Sequence, residues 1–391
     1  MTAGTSVNVK RSNRLSVLQT LHARGPMRQA EIARACNLST STVSAIVSEA
    51  RAQGLVVMSD SELGAATSDR RGTAVAFNPE LGYVIGIDIG QTVTRVALGD
   101  LEYRPLSVET VRSIVNTPSD EATQRIISAT QRLMENAGID SGRIVGVGLG
   151  MPSPQDADHR TIEGQHIFPG WTGERIRQEF ENLLQKPVFL ENDADAAALA
   201  ESRWGAGRDV TSLLHVLTHA GVGAGIVLNG EIYRGASGRA GEIGHISIDA
   251  HGPLCYCGNR GCLQTYAGGD AVAAVLRPFH GDDTSIDDVL LAAHEGERTA
   301  IRAVRDAGHF IGRVLGEVAN ILNPEKIVVS GCFPRAGEIF FGPLRSEFDL
   351  KAMHGIADIQ IVPSELPDDA TIRAALGIVP IDLEQLYEIR D

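Results

Sequence analysis

The chain has 391 residues, 43% of them hydrophobic, with a formal charge of −14 and five cysteines. That length and apolar content fit two or three domains with real cores and exclude disorder. No apolar run approaches the ~18 residues of a membrane span, and the first residues lack a secretory signal, so a cytoplasmic location without membrane contact is expected. The cysteine count is odd and three thiols crowd into eight residues, which disfavours a disulfide framework and favours a metal, while the overall acidity speaks against nucleic acid.

Dividing the charge along the chain reverses the last exclusion. Residues 1–79 carry nine Lys and Arg against five Asp and Glu, a net of +4, which leaves −18 on the rest. A basic head on an acidic body suits a chain in which one module approaches phosphate. In the head, Leu15, Val17, Leu18 and Leu21 predict a helix over Asn13–Ala23, ended by Gly25-Pro26. A short helix over Arg28–Ala35 follows. Asn37 then tolerates the left-handed turn, and Ser39 is suited to cap a helix over Thr40–Gln53 that buries Val43, Ile46 and Val47. Beyond Gly54, Leu55-Val56-Val57 opens a strand. The stretch Ser68-Asp69-Arg70-Arg71-Gly72 would tip a β-wing that returns through Ala74–Phe77.

A small packing bundle would share this apolar spacing. The helix–turn–helix order, the basic balance and the wing arginines together favour a winged helix-turn-helix domain over 1–79 that binds a double-stranded DNA operator. Its candidate contacts are Ser41, Thr42 and Ser44 at the start of the recognition helix, Arg28 near the backbone, and Arg70 and Arg71 in the wing.

A polar stretch at Ser59–Asp69 and the Asn78-Pro79 turn place a boundary near residue 80. Strands are then predicted from Tyr83 to Ile89 and from Thr94 to Asp100, joined by Gly90-Gln91-Thr92, a hairpin turn able to cradle phosphate. More follow at Ile144–Leu149, Val188–Leu190, Leu213–Leu217, Gly225–Leu228, Lys326–Ser330 and Asp358–Val362. Helices intervene at Glu121–Ala137, Ala194–Trp204 and Ala300–Leu322. Such alternation means an α/β fold with mixed sheets.

Three motifs carry the chemistry: Glu191-Asn192-Asp193-Ala194-Asp195-Ala196, Gly241-Glu242-Ile243-Gly244-His245, and His245-x9-Cys255-x-Cys257-x4-Cys262. With them the chain resembles the ROK family of sugar kinases and sugar-gene repressors, from Ser12 to the C-terminal helix. Its winged-helix head is similar to the repressor branch. The resemblance implies an actin/hexokinase-like body over 80–391 with two lobes closing on a cleft. Lobe one spans about 80–193 plus the C-terminal helix, and lobe two about 194–370.

One imidazole and three thiols suit a closed, tetrahedral and therefore structural Zn²⁺ that orders a Gly-rich loop. The family pattern selects His245 over His251 and has the same histidine face a sugar. Asn192 and Asp193, at a strand–helix junction, would fix a sugar hydroxyl and accept the proton of an attacking one, although without that context plain helix capping is the better explanation of the pair. Glu242, His245 and Gln264 would add sugar contacts. Gly150, within Gly150-Met151-Pro152, and Pro169-Gly170-Trp171 resemble elements lining the pocket's other side.

Departures from the kinase pattern shape the functional expectation. Gly90-Gln91-Thr92-Val93 stands where kinases carry Gly-Gly-Thr-Lys. His219-Ala220-Gly221-Val222-Gly223-Ala224-Gly225 replaces a more glycine-rich phosphate loop, and Ser330-Gly331-Cys332 an adenosine-side Ser/Gly-Gly-Gly. Gln264 stands where a sugar-binding Glu is usual. Added Cβ atoms crowd the backbone's approach to a triphosphate, so Asp193 becomes a vestigial base in a sensor of a sugar or sugar phosphate. The protein is thus expected to regulate carbohydrate genes as a homodimer or homotetramer. An active sugar kinase with a DNA-binding head, and a regulator controlled by a protein partner, are the alternatives.

Overall fold

The computed structural model describes residues 3–59, 74–90, 93–112, 117, 119–153, 173–356, 358–366 and 370–384. The head begins with α1 (Ala3–Arg24), which starts at Ala3 rather than Asn13. Hydrophobic periodicity cannot see this extension, because residues 9–12 are exposed and ion pairs hold the region instead. Arg11 lies 2.6 Å from Glu384, and Arg14 pairs with Glu49. Next come α2 (Gln29–Ala35) and α3 (Thr40–Ala52), separated by Asn37 at φ 54°. Strands β1 (Val56–Ser59) and β2 (Ala74–Phe77) pair antiparallel, with Val56 opposite Phe77.

The body holds two mixed sheets. The first draws on β3 (Tyr83–Ile89), β4 (Val93–Asp100), β5 (Pro105–Arg112), β6 (Ile144–Met151) and β7 (Val188–Asn192), in the order β5-β4-β3-β6-β7, with α4 (Ser119–Ala137) and α5 (Gly173–Leu184) between strands. From β7 the chain passes straight into α6 (Asp193–Trp204). The second sheet uses β8 (Ser212–Thr218), β9 (Val222–Leu228), β10 (Glu231–Ile232), β11 (Lys326–Gly331) and β12 (Gln360–Pro363), in the order β10-β9-β8-β11-β12. Around it lie α7 (Gln264–Ala267), α8 (Gly269–His280), α9 (Ile286–His294), α10 (Arg298–Leu322) and α11 (Glu338–Lys351). The closing helix α12 (Ala370–Gly377) returns to the first sheet. Among the described residues no helix is long and apolar enough to cross a membrane.

Alternation along β3 sorts the first sheet's two faces. Ile85, Ile87 and Ile89 pack with Ile126 and Phe180. The opposite face carries Val84 and Ala97 and joins Leu101, Tyr103, Leu376 and Val379 to Val17, Leu21 and Phe77 of the head in one continuous core. The winged helix is therefore seated on the body.

Glycines on this face let α12 approach the strands. A Cβ on Gly148 would lie 2.0 Å from the Ala375 carbonyl oxygen, and one on Gly86 would lie 2.8 Å from Leu376. Backbone cannot yield as a flexible side chain does. Gly148→Ala is accordingly expected to cost about 1–3 kcal/mol, read as a lower urea midpoint at unchanged m-value.

Candidate functional site

The recognition surface is built by the capping of α3. Ser39 Oγ accepts from the Thr42 N–H at 3.1 Å and sits 2.7 Å from Thr42 Oγ1 and 2.9 Å from Ser41 Oγ. Thr42, half-buried, is thus tied into the cap, while Ser41 and Ser44 are exposed on the helix's first turns. Arg28, also exposed, precedes α2, and its backbone N–H donates to Glu31 Oε2 at 2.8 Å. Arg70 and Arg71 lie outside the described residues, as do Pro169, Gly170 and Trp171.

In the body, three strand ends and one helix start converge. Gly150 stands between Asp88 of β3 and Glu191 of β7 in the sheet register. A Cβ there would meet nothing closer than 3.9 Å, so this glycine leaves the floor open rather than relieving a clash. Asn192 caps α6: its Oδ1 accepts from the N–H groups of Ala194 at 2.9 Å and Asp195 at 3.2 Å, and its Nδ2 donates to the Ser153 carbonyl at 3.3 Å. Capping therefore occupies most of this amide, with one Nδ2 proton beyond the bond to Ser153.

Asp193 begins the helix and accepts from the Ala194 N–H at 2.8 Å. Burial, then the charges of Asp88 and Glu242, push its carboxyl up to about 7, although the side chain keeps partial solvent access. Burial and Glu191 raise Asp195 to about 8 against the pull of Arg234.

Several pairings within this constellation escape the motif reading, because the partners are remote in sequence. Glu191 pairs with Arg234. Asp88 accepts from Thr371 Oγ1 at 2.6 Å and lies 3.2 Å from Arg95, which itself donates to Thr371 at 2.7 Å. His219 lies near both Asp88 and Arg95, and desolvation lowers its pKa.

The thiol cluster gathers as its spacing implies. The ligand atoms of His245, Cys255, Cys257 and Cys262 all lie within 4.8 Å of one another. His245 Nδ1 is 3.6 Å from Cys255 Sγ, and Cys257 Sγ is 3.6 Å from Cys262 Sγ. Tetrahedral zinc with Zn–S of about 2.3 Å requires ligand separations of about 3.7 Å, so the donor set fits the ion in chemistry and size. The second imidazole nitrogen points away from the cluster, 3.8 Å from Glu242 Oε2 and 3.2 Å from the Tyr256 hydroxyl. Gln264 opens α7, donates to Cys255 Sγ at 3.1 Å and brings its Oε1 against Gly221. One side chain thereby links the metal cluster to the second glycine-rich loop.

Residues 84–380 match the model of the ROK family, and residues 8–71 match that of the MarR family. The chain belongs to the ROK family. It is 26% identical over 382 residues to the xylose repressor of Bacillus subtilis strain 168, covering 97% of each chain. Its fold matches the crystal structure of a ROK family transcriptional regulator, a homologue of the E. coli MLC protein, with TM-score 0.76, 25% identity and coverage of 97% and 96%. The ROK glucokinase of Streptomyces griseus, solved with glucose and AMPPNP, matches at TM-score 0.66 and 28% identity over 76% of this chain and 99% of its own. The full-length likeness is thus to regulators, while the kinase likeness leaves out a quarter of the chain. The mixed α/β ROK body preceded by a MarR-type winged helix accords with the sequence reading.

Proposed function

We propose that this protein is a sugar-responsive transcriptional repressor of carbohydrate genes, acting in the cytoplasm as a homo-oligomer, whose body senses a neutral sugar without phosphorylating it. The observation that carries this reading is the shared core that joins an exposed Ser/Thr-rich recognition helix to the body, in which Glu242 lies near both Asp193 and His245. Likeness to a xylose repressor along the whole chain supports it.

Zn²⁺ held by His245, Cys255, Cys257 and Cys262 would supply rigidity alone, since four protein donors close the coordination shell. His245 would keep its other nitrogen directed at the sugar, beside Glu242. Asp193 would accept one sugar hydroxyl, and the remaining Asn192 proton would serve another.

Charge selects a neutral ligand. Among the described residues around the site, Arg95 and Arg234 are engaged by Asp88 and Glu191, and the charge of Arg239 acts on Glu242. Burial already raises Asp193, Asp195 and Glu242. A phosphate dianion would add repulsion there, whereas sugar hydroxyls can donate to carboxylates. Against ATP, the imidazole of His219 sits where a phosphate loop would bring glycine. Cys332 is buried behind Gly331, whose φ of +93° and approach to the Thr218 carbonyl leave no room for change.

A thermal-shift panel of D-xylose, D-glucose and N-acetyl-D-glucosamine, each with its phosphate ester, and of Mg-ATP tests the proposal. One neutral sugar should stabilise the protein by about 2.7 kcal/mol at a hundredfold excess over Kd, and its phosphate and ATP should not. Stabilisation by a phosphate ester alone would overturn the neutral-ligand assignment. One observation favours a kinase instead: a carboxyl near 7 is well placed as a general base. ATP turnover with a hexose, abolished by Asp193→Asn, would establish that reading.

A further inference from the structure

Two helices run from the cleft to the seat of the winged helix. One, α6, begins with Asn192 and Asp193 at the sugar end, and its twelve residues span about 18 Å. At its far end the Trp204 ring lies 5.5 Å from the Tyr103 ring and 4.4 Å from the Arg373 guanidinium. The other, α12, has Thr371 bonded to Asp88 and Arg95 near its start. The far ends are tied together. Arg203 donates to the Gly377 carbonyl at 3.0 Å, and a Cβ on Gly377 would lie 2.8 Å from the Trp204 ring.

Beyond Trp204 the contacts continue into the head. Tyr103 stands at φ 60° with its hydroxyl donating to the Val379 carbonyl at 2.9 Å, and its ring meets His22 edge-on at 6.4 Å. His22, in the last turn of α1, lies 3.0 Å from the Leu101 carbonyl and packs edge-on against Phe77 of the wing strand at 5.1 Å. The path therefore runs through packed rings and a rigid helix, with each link in contact with the next.

We infer that α6, braced by α12, couples the sugar site to the DNA-binding head, with Trp204 and Tyr103 as the positioning residues that pass its displacement to His22. This rests on the sugar-sensor reading above. A helix moves as a stiff body, and close-packed rings shift between discrete arrangements rather than compressing. A sugar that prefers one setting of α6 thereby prefers one seating of α1 and the wing. A path of this kind shows itself as coupling between its two ends.

Hydrogen–deuterium exchange of the full chain supplies that evidence, with D-xylose, D-glucose and N-acetyl-D-glucosamine as probes. In the wild type, a bound sugar should slow exchange at residues 192–196 and also alter it at 99–104 and 20–25. Trp204→Ala should keep the local protection and lose the remote response by about fivefold or more. Trp204→Phe should restore it. Tyr103→Phe, which removes only the bond to Val379, replaces Trp204→Ala if that variant does not fold and should weaken the remote response about twofold. A remote response of full size in these variants, or local protection without a remote response in the wild type, overturns the coupling. Absence of local protection with all three sugars removes the sensor reading and the coupling with it.

Discussion

Cys262→Ser is expected to yield protein without zinc, whereas the wild type should carry about one equivalent per chain by elemental analysis. Cys262 is fully buried, its sulfur 3.6 Å from that of Cys257 and 3.5 Å from the His245 carbonyl. Serine provides no thiolate, and three donors hold the ion far more weakly than four. In the loop from His245 to Cys262, Ile246 and Ile248 pack against the core, but Leu254 and Tyr256 are exposed and the glycines at 258 and 261 take positive φ. Without the metal its ordering entropy is not offset. Metal loss belongs among the large single-site effects, on the order of 4 kcal/mol, or about 5–10 °C in a chain of this size. Sugar affinity should fall as well, because His245 loses the anchor that aims its ring. Zinc added back should rescue chelator-treated wild type and leave Cys262→Ser unchanged. A wild type purified with zinc present and found metal-free would remove the claim.

Asp193→Asn should weaken sugar binding by about 10–100-fold while leaving sugar-free operator affinity within about twofold, so that the protein represses without responding. The first figure follows from losing one charged hydrogen bond, worth about 1.5–3 kcal/mol. The second follows from the distance of Asp193 from α3. A titration calorimeter and operator anisotropy separate the two effects, and equal loss in both would show that the residue supports the fold rather than the ligand.

The shifted carboxyl also fixes the pH behaviour. Its folded value of about 7 lies above the ordinary 3.8, so between those limits the folded chain holds more protons than the unfolded one. Stability from this group therefore falls as pH rises through the window, and the cost is complete above about 7. Asp193→Asn should accordingly raise the melting temperature at pH 8 and change it little at pH 4. Sugar affinity should climb roughly tenfold in the wild type from pH 6 to pH 8, as the better-accepting carboxylate forms, and stay flat in the variant.

What could be read from the sequence was what is local in it. The four metal donors fall within one short segment, and α3 announces itself through Ser39 and its apolar spacing. Asp193 is legible because a strand gives way to a helix at that residue. The rest of the site depends on distant partners: Arg234 reaches Glu191 across 43 positions, and Thr371 reaches Asp88 across 283. No periodicity or spacing encodes such pairs. β5 also escaped, because its residues alternate between exposed and half-buried, with Leu106 and Val108 turned outward. The extension of α1 ahead of Asn13 carries no apolar period that marks it, since residues 9–12 are exposed.

The apolar seat beneath the winged helix bears on how such a protein could have arisen and how it can be cut. Residues 80–391 expressed alone would uncover Leu101 and Tyr103, which now meet His22 of the head. An uncovered patch of that kind promotes self-association. A relative without a reader domain therefore needs polar side chains at those positions, and gaining or losing the reader requires rewriting the surface on which it sits. Fusing a foreign DNA-binding domain at residue 80 would not reproduce the molecule, because that junction passes through the middle of a shared hydrophobic core.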